Sequence, residues 1–176
     1  HRSRARGGDH TCYVDKHRLS AAYKQASAAL QRGDVGVPEG FYRGARCRFG
    51  NEGDPSAVPF YVWAEIAADA LGFTGYTANW RHLDPEWSRL FMASVSTPTD
   101  AMRARSKGWR WFASSARADH DAEFSAMGRE CHADAHGLTC TQCHGCDGTS
   151  RGASRPSFWL KYHGATGAKH RRVLNG

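Results

Sequence analysis

Short apolar segments alternate with helical segments along most of this 176-residue chain, and this alternation constrains the fold more than any other feature. An alanine-rich helix is predicted over residues 15–32, where Gly33 follows as a stop. Further helical spacing follows within residues 56–72, 84–90, 97–108 and 165–172. Strand-like runs lie at residues 45–50, 73–77, 90–95, 109–115 and 158–164. The pattern predicts an α/β fold whose parallel βα units form a partial or reduced barrel.

Three junctions place a capping residue directly before proline, at Asp54, Asp84 and Thr97. A capping side chain can satisfy a free helix N–H, and proline suits the first helical position because it lacks an N–H. In a parallel α/β fold the loops after the strands share one edge of the sheet, where ligands bind. Polar residues in these loops are therefore the candidate site.

The catalytic candidates are Asp54, Glu52 and Arg81. Two carboxyl groups so close in sequence could do acid–base chemistry if burial separated their pKa values, although Asp54 is equally explained as a helix cap. Arg81 could bind an anion while the adjacent tryptophan stacks on a base. The candidate substrate contacts are Tyr76, Asn79, Trp80 and His163.

Between residues 116 and 155 the alternation gives way to small and polar residues that include a group of cysteines. A loop of this length without secondary structure is uncommon in a compact domain, so we expect a metal to organise it. The predicted organisation is a βα-repeat region with a basic arm at 1–115, a cysteine-rich metal-binding insert at 116–155, and a final strand–helix unit with a basic end at 156–176.

The predicted metal ligands are Cys131, Cys140, Cys143 and Cys146, spaced C-x8-C-x2-C-x2-C. Four thiolates suit either a [4Fe–4S] cluster or a tetrahedral zinc. The consecutive two-residue gaps favour iron–sulfur, whereas separated C-x2-C pairs are typical of zinc. A histidine could replace one thiolate; the candidates are His132, His136 and His144.

The pentapeptide from Cys140 to His144 also matches the C-x-x-C-H signature of covalent haem attachment. Haem would leave two thiols of the group unused, and it needs an export compartment for which the sequence shows no apolar signal. A haem protein is therefore disfavoured.

The formal net charge is +7, and the basic residues gather at the two ends of the chain. An excess of basic over acidic residues, together with six Trp and six Tyr, is compatible with a nucleic-acid or nucleotide partner. No run approaches the roughly 20 apolar residues of a membrane span. Cysteines without secretory features favour metal binding over disulfides, so a cytoplasmic location is expected. A chain that starts at His1 rather than Met also predicts missing upstream residues.

The motifs TCYVDK, GDPSAVPFYVW, GYTANW, MASVST, GWRWF, CHADAHGLTCTQCHGCDG and YHG occur in this order over nearly the whole chain. Together they resemble a family of uncharacterised proteins found widely in bacteriophages, particularly those of actinobacteria. Members carry a further C-x-x-C before TCYV, so the resemblance implies that Cys12 is the third thiol of a second cluster. Members also tend to have an aspartate where this chain has Ser96, which weakens an acid role there.

An N-terminal cysteine group followed by a strand that ends in Gly-Asp-Pro is similar in outline to radical S-adenosylmethionine barrels. A cysteine-bound metal on a βα frame is similar in architecture to tRNA-guanine transglycosylase-like enzymes. The second analogy implies that Asp54 is a nucleophile or base and that Arg81 contacts a phosphate. The expected function is a metal-containing, phage-type enzyme that modifies or exchanges bases in a nucleotide or nucleic acid, in the cytoplasm of the host. The alternatives are a non-catalytic nucleic-acid-binding module with a structural zinc, and an electron-transfer protein.

Overall fold

The computed structural model describes residues 38–51, 53–115, 117–148 and 155–161, together with residues 21, 24–25, 27–29 and 31–33. The side chains of residues 133, 134 and 141 are outside this description. The chain divides into two compact units, His1–Phe41 and Tyr42–Gly176. In the first unit, the described residues between 21 and 31 are helical, as predicted. Glu52, His163, Cys12 and the predicted helix at 165–172 lie outside the described residues.

The second unit contains a six-stranded sheet in which every pair of neighbouring strands is parallel. The strands are β1 (Arg46–Phe49), β2 (Gly72–Thr77), β3 (Met92–Val95), β4 (Trp111–Ser115), β5 (Arg129–Glu130) and β6 (Phe158–Lys161). Their spatial order is β1-β2-β3-β4-β6-β5, so β6 lies between β4 and β5. The α/β class is confirmed. The order departs from chain order at the last two strands, and a partial barrel stays a prediction.

In the described part of the second unit, five α-helices connect or follow these strands. They are α1 (Phe60–Asp69), α2 (Pro98–Ser106), α3 (Ala118–Met127), α4 (His132–His136) and α5 (Cys140–Cys143). Short 3-10 helices lie at Pro55–Ala57 and at Pro85–Arg89. Within the described part of the chain, no helix is both long and apolar enough to cross a membrane.

Two of the three predicted capping side chains do cap a helical segment. Asp54 accepts a hydrogen bond from the Ser56 N–H at 3.0 Å, but it starts only the 3-10 turn, and α1 begins later, after Pro59. Thr97 accepts from the Asp100 N–H at 3.1 Å at the start of α2. Asp84 makes no side-chain capping bond at the described Pro85–Arg89 turn.

The hydrophobic core lies on one face of the sheet, here called the first face. The strand register places five buried side chains there: Phe49, Phe73, Ala93, Ala113 and Trp159. Helices α1, α2 and α3 cover this face and add Trp63, Ala101, Ala104 and Phe124 to the core. Because side chains alternate between faces along a strand, the neighbouring residues form a second face that needs its own cover.

The predicted insert at 116–155 begins with a helix that packs on the sheet and a strand that extends it, rather than with a loop. Helix α3 buries Phe124 completely, with its ring 5.7 Å from the Trp111 ring and 6.3 Å from the Trp159 ring. Strand β5 then pairs with β6. The part that remains distinct is residues 131–148, which we call the cysteine module.

Candidate functional site

The cysteine module packs against the second face of the sheet. Asp147 forms an ion pair with Arg46 of β1 at 3.1 Å. At Gly145 a side-chain Cβ would lie 2.8 Å from the Phe158 ring, so the backbone of the module rests directly on β6. Arg46 and Phe158 both project from the second face, since their strand partners Gly72 and Phe112 alternate with core residues. The module therefore occupies the position of a helix layer.

The short helix α5 sets the spacing of two of the thiols. Helix α5 spans Cys140 to Cys143, one helical turn, so both side chains lie on the same side of that turn. Thr139 and Gln142 form a capping box at its start, which fixes where the turn begins. His144 ends the turn with a left-handed φ of 54°, an uncommon conformation for a residue other than glycine. This reversal directs the chain towards Cys146.

Cys146 is enclosed between the sheet and the rest of the module. Burial raises the pKa of its thiol to about 11, and the thiols of Cys131 and Cys140 are close enough to raise it further. A hydrogen bond from the Tyr76 hydroxyl and the charge of Arg110 act in the opposite direction. The pKa of Tyr76 is likewise raised, by burial first and then by Cys146. Three of the four predicted ligands thus share one electrostatic environment.

The four cysteines and His144 have the chemistry of metal ligands, but their positions meet the requirements of a metal site only in part. All four predicted ligands are free thiols, and the buried Nδ1 of His144 has no hydrogen-bond partner. That nitrogen lies 4.0 Å from the Asp147 carboxylate. Among the residues the structure describes, however, no three His, Cys, Asp or Glu side chains converge closely enough to hold one ion. The four-thiolate centre and its metal therefore stay predictions.

Two arginines hold the loop that carries Cys146. Arg110 donates to the carbonyls of Gly145 at 2.9 Å and Asp147 at 2.8 Å, and twice to the Pro156 carbonyl at 3.1 and 3.2 Å. Arg155 donates to the His144 carbonyl at 2.5 Å. Burial lowers the pKa of Arg110, whereas the Cys146 thiol acts to raise it. Positive charge is thus placed beside the thiols.

A pocket of about 170 Å³ opens between the module and the amino-terminal halves of β1 and β2. Its polar lining comes from Arg46, Arg48, Thr74, Cys140 and Asp147. Gly72, Phe73 and Cys47 complete the wall. One predicted metal ligand, Cys140, therefore faces the same space as two arginines.

Asp54 lies at the opposite end of β2, and its carboxylate is engaged on both oxygens. Oδ1 accepts from the Ser56 N–H at 3.0 Å and from the Thr77 hydroxyl at 2.8 Å, and Oδ2 accepts from the Ala78 N–H at 2.8 Å. Burial alone would raise the pKa of Asp54, but these hydrogen bonds outweigh it and lower the pKa. A carboxylate held in this way serves as the predicted cap and is a weak base.

The other residues predicted at this edge contact one another and neighbouring loops. Asn79 donates to the Ser56 hydroxyl at 2.7 Å. Trp80 is buried, and the Arg81 guanidinium lies 4.3 Å from the centroid of its ring. Arg81 also pairs with Asp100 at 2.6 Å. Tyr76 is separated from this group, because it faces the cysteine module.

Three arginines at the boundary between the module and the sheet, Arg46, Arg48 and Arg110, were not among the predicted site residues. One signal was available for the first two. They alternate with apolar residues in β1, and a charge at every second position of a parallel strand indicates a polar face.

Comparisons of this chain with protein-family models, with curated proteins and with solved structures found no match.

Proposed function

We propose that this chain is a metalloprotein that acts on a nucleotide or nucleic acid, with the metal held by Cys131, Cys140, Cys143 and Cys146. The observation that carries the proposal is the position of Cys140, which lines a pocket together with Arg46 and Arg48. A metal bound there would lie next to positively charged groups suited to a phosphate. The phage-type family, the base-modifying reaction class and the host cytoplasm belong to this proposal through the sequence resemblance.

The chain's own residues suggest how the centre would be held. Tyr76 donates to the Cys146 sulfur, and Arg110 adds positive charge, so both favour the thiolate form that a metal requires. The unpartnered Nδ1 of His144 is the available substitute for one thiolate. A zinc held by all four thiolates would supply structural cross-linking, since no position would be open to a substrate, and a [4Fe–4S] cluster would supply electron transfer.

Metal analysis of the purified protein, prepared without oxygen, tests the centre. We expect about one zinc, or about four irons with broad visible absorption, per chain. Cys146→Ser should lose most of the metal, whereas the matched variant Cys47→Ser, which changes a cysteine outside the set, should retain it. Wild-type protein without bound metal, or equal losses in the two variants, would contradict the proposal.

A second candidate is a non-catalytic nucleic-acid-binding module with a structural zinc. It is favoured by the hydrogen bonds that occupy the Asp54 carboxylate and by the ion pair of Arg81, since neither of these two predicted catalytic residues, the two that the structure describes, is free to react. Turnover that falls in Asp54→Asn while binding and thermal stability are kept would favour the enzyme. Salt-dependent oligonucleotide binding, without turnover and unchanged in that variant, would favour the module.

A further inference from the structure

Among the described residues that line the pocket beside Cys140, two arginines face one carboxylate, that of Asp147. Arg46 and Arg48 project from the same face of β1, two residues apart, so their side chains start about 7 Å from each other. Arg46 is paired with Asp147 at 3.1 Å. Arg48 lies over the Tyr76 ring, 5.8 Å from its centroid. Among the described residues, the Arg48 guanidinium is without a carboxylate partner.

The floor of the pocket is kept open by a glycine. A Cβ on Gly72 would lie 2.6 Å from Arg46 Nη1 and 3.0 Å from Asp147 Oδ2. Any side chain at this position would push into the ion pair and into the space above the strand. Glycine here leaves bare backbone in the wall of the pocket, which Arg46, Arg48 and Thr74 also line.

The size of the pocket limits what it can hold. Ligand sites for whole small molecules usually measure about 300–1,000 Å³. At about 170 Å³ this pocket is too small for a complete nucleotide but large enough for a compact anion, and because most of its exposed wall is apolar, the two arginines would carry the recognition. Guanidinium groups bind phosphate oxygens through two parallel hydrogen bonds, and the Thr74 hydroxyl adds a neutral donor.

We propose that this pocket is a phosphate subsite in which Arg48 is the main anchor, assisted by Arg46 and Thr74. The inference depends on the proposed function for its ligand class, a phosphate group of a nucleotide or nucleic acid. The negative charge of Asp147 would repel an anion, but its ion pair with Arg46 reduces this repulsion. Arg46 keeps further N–H donors that the ion pair does not use. The remainder of the nucleotide extends out of the pocket.

Titration calorimetry of the full chain with inorganic phosphate at low ionic strength tests the subsite. We expect saturable binding to the wild type and a loss of about tenfold or more in Arg48→Gln, as for loss of a charge-assisted contact. Arg105→Gln removes the same charge from an exposed position on α2 and should bind as the wild type does. Gly72→Ala should weaken binding without changing the net charge. Absent wild-type binding, or equal losses in the two arginine variants, would overturn the inference.

Competition identifies the source of the phosphate. Displacement by a 5′-mononucleotide but not by a single-stranded oligonucleotide without terminal phosphates would assign a terminal phosphate. Displacement by the oligonucleotide would assign the nucleic-acid backbone, and displacement by neither would overturn the ligand class.

The metal content of each sample is measured in parallel. Metal-loaded Arg48→Gln with unchanged phosphate binding refutes the subsite alone, whereas Arg48-dependent binding in a chain without metal refutes the metal centre alone.

Discussion

Replacing Arg110 with methionine should separate the cysteine module from the sheet more than any other single change in the described residues. The guanidinium makes four hydrogen bonds to three carbonyls, those of Gly145, Asp147 and Pro156, at 2.8–3.2 Å. Methionine keeps the apolar part of the side chain but donates no hydrogen bond. The variant therefore tests the polar contacts with little change in packing volume.

The cost follows from the number of carbonyls that lose a partner. Hydrogen bonds from a charged donor contribute about 1.5–3 kcal/mol each, and about 1 kcal/mol is a fair lower value where water can replace the donor. The three carbonyls then give roughly 3 kcal/mol. Release of the guanidinium from its partly buried position offsets part of this, because burial disfavours its charge. We expect a net loss of about 2–3 kcal/mol, equivalent to roughly 6–9 °C in Tm for a domain of this size.

Thermal and urea unfolding of Arg110→Met, beside wild type and the exposed-site control Arg105→Met, measure this loss. Arg110→Lys should recover little, since one ammonium group cannot reach three carbonyls as a planar guanidinium does. A free energy of unfolding within about 0.5 kcal/mol of wild type, the range usual for surface substitutions, would refute the reasoning. So would a loss equal to that of the Arg105→Met control.

Two further predictions concern the sheet and its carboxyl-terminal edge. Because the pKa of Asp54 is lowered in the folded state, its stabilisation is present above its unfolded-state pKa of about 3.9 and is lost as pH falls through the folded value. In urea unfolding, the free energy of unfolding should therefore decline less for Asp54→Asn than for wild type as the pH is lowered through the acidic range. Equal declines in the two proteins would contradict this. Gly75→Ala should cost about 2–3 kcal/mol by overpacking, because its Cβ would lie 2.6 Å from the Phe91 ring. Gly53→Ala, with nothing within 4 Å, should be neutral in urea unfolding, and equal effects of the two glycine variants would contradict the packing argument.

The strands β2, β3, β4 and β6 were predictable because each is a mainly apolar run ended by a turn or a capping residue, and β1 was predictable as a short run in which charged and apolar residues alternate before Gly50. Helix α3 was missed for a physical reason. It buries one side chain, Phe124, among mostly polar residues, so it lacks the apolar periodicity that identifies a helix. Packing of that ring beside Trp111 and Trp159 stabilises the helix, and such tertiary contacts are not visible in a local pattern.

The candidate site was predictable in its residue types but not in its location. The cysteines stood out by spacing, and the cap at Asp54 was recognised as the alternative to a catalytic acid. The pocket depends on Arg46 meeting Asp147, a contact between residues 101 positions apart. The site was expected where the strands end, yet the pocket lies beside the first residues of β1 and β2. No rule about loops in parallel folds identifies that position, since it is created by the module that covers the second face.

Parallel sheets are usually covered on both faces, and here the two covers differ in kind. Three helices bury aromatic and small apolar side chains on the first face. The cysteine module contributes little apolar area in comparison, since Leu138 of the module is 41% exposed. It is attached instead by the Arg46–Asp147 pair, the Arg110 contacts and the approach of Gly145 to Phe158. Because the attachment is polar, arginines and thiols lie together at the boundary between the cysteine module and the second face of the sheet. The proposed metal centre and the proposed phosphate subsite are therefore neighbours at this boundary.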